Sequence, residues 1–257
     1  TCFGRTIRLE YLVPPGKTDG ARLPMDILKD AVQWQAERLG YDYRRECYRT
    51  ICMEKSNFGG MENVGNTTII TEAALIDEWT PDRRLVYAFG VILHEFEHNH
   101  CGSDVTMETP FDLWLNEAYT VDIERQYVAS KFGAELMRLS ELDSMRSPLQ
   151  GPLAVEDAGK LGRIVREGFN HPDEVVDGVT YVKAPEVLGM LRELMGAERY
   201  EKATSWYFAE YNGGNANTDQ FLDAFRRFSD RDLDAFFHEW LFTIGYPVLR
   251  GAWRYEP

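Results

Sequence analysis

His94, Glu95 and His98 form an H-E-x-x-H set, and Glu117 follows in the run FDLWLNEAYT. On a helix the two histidines lie one turn apart on the same face, so both imidazoles reach a single ion. Glu95 sits about 100° round that helix, where it can touch a water held by the metal without being a ligand. A hydrolytic zinc site takes three protein ligands and keeps one position open, and a later acid such as Glu117 supplies the third. The chemistry such a set performs is metal-assisted hydrolysis.

These side chains need two helices to carry them. Thr80-Pro81 and Thr109-Pro110 each read as an N-cap followed by a first-turn proline, opening the helices of the histidines and of Glu117. The first of these would bury Leu85, Phe89, Ile92, Leu93 and Phe96. Earlier in the chain, residues 5–13 alternate as a strand with Ile7, Leu9, Tyr11 and Val13 on one face, stopped by Pro14-Pro15-Gly16. From Leu23 to Leu39 the apolar spacing becomes helical, and Gly40 closes it. Two β-rich stretches, Tyr48–Glu54 and Thr67–Thr71, flank a glycine-containing segment.

Later helices are expected at about 185–196, 197–211, 217–229 and 231–243. Asn217 with Gln220 and Ser229 with Asp232 are expected to cap the last two. Ser147 to Asp177 shows no clear period and reads as a long excursion. The expected division is a β-rich lobe over 1–76 and a helical lobe over 77–257, together one catalytic domain of α+β class.

Size and charge narrow the rest. A chain of 257 residues with 44% hydrophobic and 13% aromatic content buries a full core, which argues against disorder. No apolar run approaches the roughly 18 residues of a membrane span. A net charge of −14 repels nucleic acid. The four cysteines, Cys2, Cys47, Cys52 and Cys101, form no C-x-x-C pair and read as free thiols in a reducing compartment. With no signal peptide visible at the N-terminus, the expected location is the cytoplasm. Cys101, one turn past His98, reads as a small buried residue. His100, His171 and His238 show no partner pattern.

A third motif adds to the first two. Residues 59–63 read GGMEN, residues 94–98 HEFEH and residues 113–120 LWLNEAYT, with eighteen residues between His98 and Glu117. Together they resemble the catalytic domain of gluzincin aminopeptidases of the aminopeptidase N type, over about residue 5 to the C-terminus. The resemblance implies a thermolysin-like domain, a small mixed β-sheet lobe followed by a larger helical one, with the site in the cleft between them. It implies one zinc ion on His94, His98 and Glu117, with Glu95 as general base. Glu62 would receive the free α-amino group of a peptide. Gly60 and Met61 would lend backbone groups to that peptide, with Gly59 and Asn63 completing the binding segment. Tyr181, in YVKAPEVLGML, would stabilise the oxyanion.

The chain departs from the family pattern at His100, Ser103, Val182 and Ala184-Pro185, and Pro185 fits only where a helix begins. Members of the family carry an N-terminal β domain and usually C-terminal domains, so flanking domains are expected beyond this chain. Three other readings stay open at this point. They are an endopeptidase, a small-molecule (epoxide) hydrolase on the same zinc scaffold, and a non-catalytic binding module with a vestigial site.

Overall fold

The computed structural model describes residues 3–148, 151–157, 162–248 and 250–256. Strands β1 (Arg8–Leu12), β2 (Cys47–Met53) and β4 (Asn66–Ile70) run parallel, and the short β3 (Gly60–Met61) pairs antiparallel with β4 at the edge. Parallel neighbours need a long crossover, and helix α1 (Arg22–Leu39) supplies it between β1 and β2. Gly40 ends α1 at φ 68°, a left-handed position that suits glycine. The expected strand at 5–13 contracts to β1, with Ile7, Leu9 and Tyr11 against the core and Val13 past its end. The small mixed sheet is as expected.

After the short α2 (Thr71–Ala74) comes α3 (Asp82–Glu97), the helix that separates two buried clusters. Val91, Ile92 and Phe96 pack with Ile27, Leu28, Tyr48 and Ile69 of the sheet side. Leu93 belongs instead to the larger cluster with Trp114, Tyr127, Leu188, Phe221 and Phe237. That cluster gathers α4 (Leu113–Phe132), α7 (Ala184–Met195), α8 (Ala197–Glu210), α9 (Thr218–Phe228) and α10 (Asp234–Leu241). Helices α5 (Ala134–Arg146) and α6 (Pro152–Asp157) lie between α4 and α7 in sequence, and β5 (Val105–Met107) pairs parallel with β6 (Gly214–Ala216). Helix α4 is buried on most of its sides, from Trp114 through Ile123 to Val128, as befits a central helix.

The helix starts divide. Thr109 and Asp112 form a reciprocal capping box, opening a 3-10 turn that runs into α4. Asn217 and Gln220 do the same for α9. Two expected caps are corrected. Pro81 itself occupies the N-cap of α3, while Thr80 Oγ1 is engaged with the turn at Asp77. Ser229 and Asp232 form no capping box: each side chain accepts from a backbone N–H two residues on, and α10 starts only at Asp234. Short side chains there stabilise local turns before a helix can begin. The excursion over 147–177 carries α6 and a 3-10 turn at Pro172–Val175 within its described residues. Among the described residues no helix is long and apolar enough to cross a membrane. Cys47, Cys52 and Cys101 are free, and Cys2 lies outside the described residues.

Candidate metal centre

His94 lies in the last turn of α3, His98 caps its end, and Glu117 sits one turn into α4, which packs along it. One ligand atom from each falls within 4.8 Å of the others. The two Nε2 atoms are 3.1 Å apart, and each is 3.4 Å from Glu117 Oε2. A tetrahedral zinc ion with bonds of about 2.0–2.1 Å spaces neighbouring ligand atoms about 3.3 Å apart, so the set fits such an ion. The other ring nitrogens are already used. His94 Nδ1 lies 2.9 Å from Glu124 Oε2, and His98 Nδ1 donates to the Cys101 carbonyl at 2.9 Å. Protons held on Nδ1 leave both Nε2 lone pairs for a cation. Glu117 Oε2 is buried without a hydrogen-bond partner, which is the state a metal ligand should show here.

The field at the site favours a cation. Burial alone would make His94 harder to protonate, yet Glu117 and Glu124 outweigh it and raise its pKa well above the ordinary value. His98 is pushed up to about 9: Glu117 again overcomes burial. Burial acts on Glu117 in the opposite sense, and the two imidazoles overcome it to hold the carboxyl far below its usual range. Whatever draws protons onto the imidazoles equally draws a divalent ion between them. Glu95 is 4% exposed, its Oε2 has no partner, and burial raises its pKa to about 7 with Glu62 and Glu117 adding to the effect. A carboxyl tuned near neutrality suits proton exchange.

The GGMEN segment arrives as the edge strand of the sheet. A Cβ on Gly60 would run into the buried Glu95 carboxylate, so glycine suits this close approach, and one on Gly59 would displace the Tyr87 hydroxyl. Met61 and Asn63 are exposed, whereas Glu62 is half-buried and its charge acts on Glu95, His98 and Tyr181. Among the described residues no cation pairs with Glu62. Tyr181 stacks its ring on His94, centroids 6.5 Å apart and 21° between planes. Burial, then the charge of Glu117 and a hydrogen bond to it, keep the phenol protonated. A single π-helical turn, Val179–Lys183, carries Tyr181, and α7 starts at Ala184 with Pro185 in its first turn. His94, His98, Glu117, Glu95, Gly60 and Tyr181 therefore lie together, Glu62 acts on the same groups, and Met61 and Asn63 stay exposed on the edge segment.

Sequence reasoning missed Glu124. Seven residues after Glu117, it falls two turns along the same face of α4, a spacing that could have drawn notice. Gly90 makes room for it, since a Cβ there would lie 2.6 Å from Glu124 Oε1. Missed also were the partners of His100, whose Nδ1 is 3.1 Å from the buried Glu97 and whose ring lies between Tyr41 and Phe208. Cys101 is buried, its thiol directed at the Leu115 and Asn116 carbonyls at 3.3 and 3.6 Å.

Known proteins resemble this chain in sequence and fold. The profile of the peptidase family M1 domain matches residues 23–240. An aminopeptidase N from Caulobacter vibrioides is 30% identical over all of this chain, and one from Escherichia coli K12 is 29% identical over all of it. The chain spans 29% of the length of each of these relatives. Among solved structures, Legionella pneumophila aminopeptidase A in complex with aspartic acid superposes with a TM-score of 0.82 at 22% identity. That likeness covers 94% of this chain and 27% of the other, and it bears on the fold.

Proposed function

The chain belongs to peptidase family M1, and from that membership we propose that it is the catalytic unit of a zinc aminopeptidase releasing residues from the free N-terminus of peptides. The observation that carries this reading is the convergence of His94, His98 and Glu117 beside the buried, unbonded Glu95 oxygen. His94, His98 and Glu117 would hold the ion. Bound there, zinc would supply Lewis acidity toward the scissile carbonyl and toward water.

Each of the chain's own groups then has a task. Glu62, half-buried and with no cation pairing with it among the described residues, would take the ammonium of the substrate. The Gly60–Met61 edge would pair with the peptide backbone, as an edge strand can, with Gly59 and Asn63 flanking it. Glu95 would take a proton from the attacking water and pass it to the departing amine. The Tyr181 hydroxyl would donate to the oxygen that becomes negative, and losing such a donor costs roughly 100- to 1,000-fold in rate. The β-rich segment 1–76 would present the substrate and 77–257 the catalytic groups. Free thiols at Cys47, Cys52 and Cys101 support a reducing, cytoplasmic setting.

Chromogenic amino-acid amides, free and N-acetylated, test the reading with and without chelator. Free amides should be hydrolysed, acetylated ones spared, and chelation should stop turnover until zinc is restored. Equal hydrolysis of both forms would point to an endopeptidase. Stoichiometric zinc with no turnover of any free-amine substrate would point to a binding module.

A further inference from the structure

A π-helical turn is uncommon and needs neighbours to hold it. The turn that carries Tyr181 is held by Asp177. Its Oδ1 accepts from the backbone N–H groups of Val179 and Thr180 at 3.0 and 3.1 Å, and its carbonyl accepts from Tyr181 N–H at 3.0 Å. Asp177 is held in turn by Arg166, whose Nη2 donates to both carboxylate oxygens at 2.8 Å. The remaining guanidinium nitrogens serve the same segment. Nη1 donates to the Glu174 carbonyl at 2.7 Å, and Nε to the Arg163 carbonyl at 3.2 Å. The side chains of Arg166 and Asp177 are 11% and 18% exposed, so water screens them far less than a surface pair. Thr180 Oγ1 closes the knot by donating to the Val175 carbonyl at 2.7 Å.

We propose that Arg166 and Asp177 are positioning residues for Tyr181, and that the stretch from Arg163 to Asp177 is part of the catalytic apparatus. Neither side chain touches substrate. They fix the turn from which the Tyr181 ring lies over His94. A donor to a developing charge works only if it is already aimed, because ordering it during the reaction costs what its hydrogen bond would gain. The inference rests on the reading of Tyr181 as the oxyanion donor.

A double-mutant cycle on the zinc-loaded protein tests it, using Arg166→Ala, Tyr181→Phe and the two combined. Tyr181→Phe should lower kcat at least about 100-fold with KM little changed. Arg166→Ala alone should lower kcat roughly ten-fold, yet add nothing once Tyr181→Phe is present, since the group it aims is gone. A loss from Arg166→Ala that multiplies fully onto that of Tyr181→Phe would make the pair merely structural and overturn the proposal. If Arg166→Ala does not fold, Asp177→Asn carries the cycle, because it keeps an acceptor oxygen while removing the ion pair. Independently of turnover, the fluorine resonance of fluorotyrosine incorporated at position 181 should shift in the Arg166→Ala protein. An unmoved resonance counts against the proposal. If Tyr181→Phe leaves kcat intact, the oxyanion reading itself fails, and that result is distinct from the multiplicative one.

Discussion

At the scale of single residues, the site is defined as much by what backs the ligands as by the ligands. Glu124 fixes the His94 ring through Nδ1, and losing such a backing group costs 10- to 100-fold in metal affinity. Glu124→Ala should therefore weaken zinc binding by roughly that factor, read by competition with a chromogenic chelator; unaltered affinity would remove Glu124 from this role. Gly60 acts by lacking a side chain. Gly60→Ala would push its methyl into the Glu95 carboxylate, so kcat should fall on the order of 100-fold while bound zinc stays stoichiometric. Full activity in that variant would mean that Glu95 can work from another position. His94 and His98 were legible in the sequence because helical spacing alone puts two imidazoles on one face, whereas Glu117 entered as the later acid that a third ligand calls for. Glu124 was not singled out, for a carboxylate two turns along α4 becomes a partner of His94 only once α4 lies against α3.

Helices with clear ends were the easiest elements to read. The Asn217–Gln220 box is present as expected, and Asn217→Ala should cost about 1 kcal/mol of stability by denaturant unfolding. Gly189 is the opposite case. It lies inside α7 with no heavy atom closer than 3.9 Å to a built Cβ, so Gly189→Ala should gain about 0.5–1 kcal/mol. A loss there would mean the helix interior is tighter than its geometry indicates. Ser229 and Asp232 misled because the residue types that cap helices also stabilise isolated turns, and only the chain's onward direction decides between the two. The π-helical turn at Tyr181 has no periodic signature of its own. It exists through Asp177 and Arg166, eleven residues apart in the chain, whose side chains meet only in three dimensions.

For the whole molecule, the metal should be a stabiliser as well as a reagent. The set His94, His98 and Glu117 joins α3 to α4, and an ion that binds only the folded state adds about 4 kcal/mol at a thousand-fold excess over Kd. In a domain of this size that corresponds to roughly 8–16 °C. Removing zinc with a chelator should lower Tm by about that amount, and returning it should restore the loss. An unchanged Tm would mean that the three ligands carry no ion in the native protein.

The sequence by itself determined the candidate metal-binding set, the acid between its two histidines and the order of a small sheet before many helices. Each of these rests on local spacing, which the chain carries wherever it folds. Tertiary structure decided the rest: that an edge strand lays Gly60 against Glu95, that Glu124 braces His94, and that an arginine in an aperiodic stretch steadies the turn of Tyr181. Those contacts join segments from eleven to dozens of residues apart, and no periodicity along the chain encodes which side chains burial will bring together.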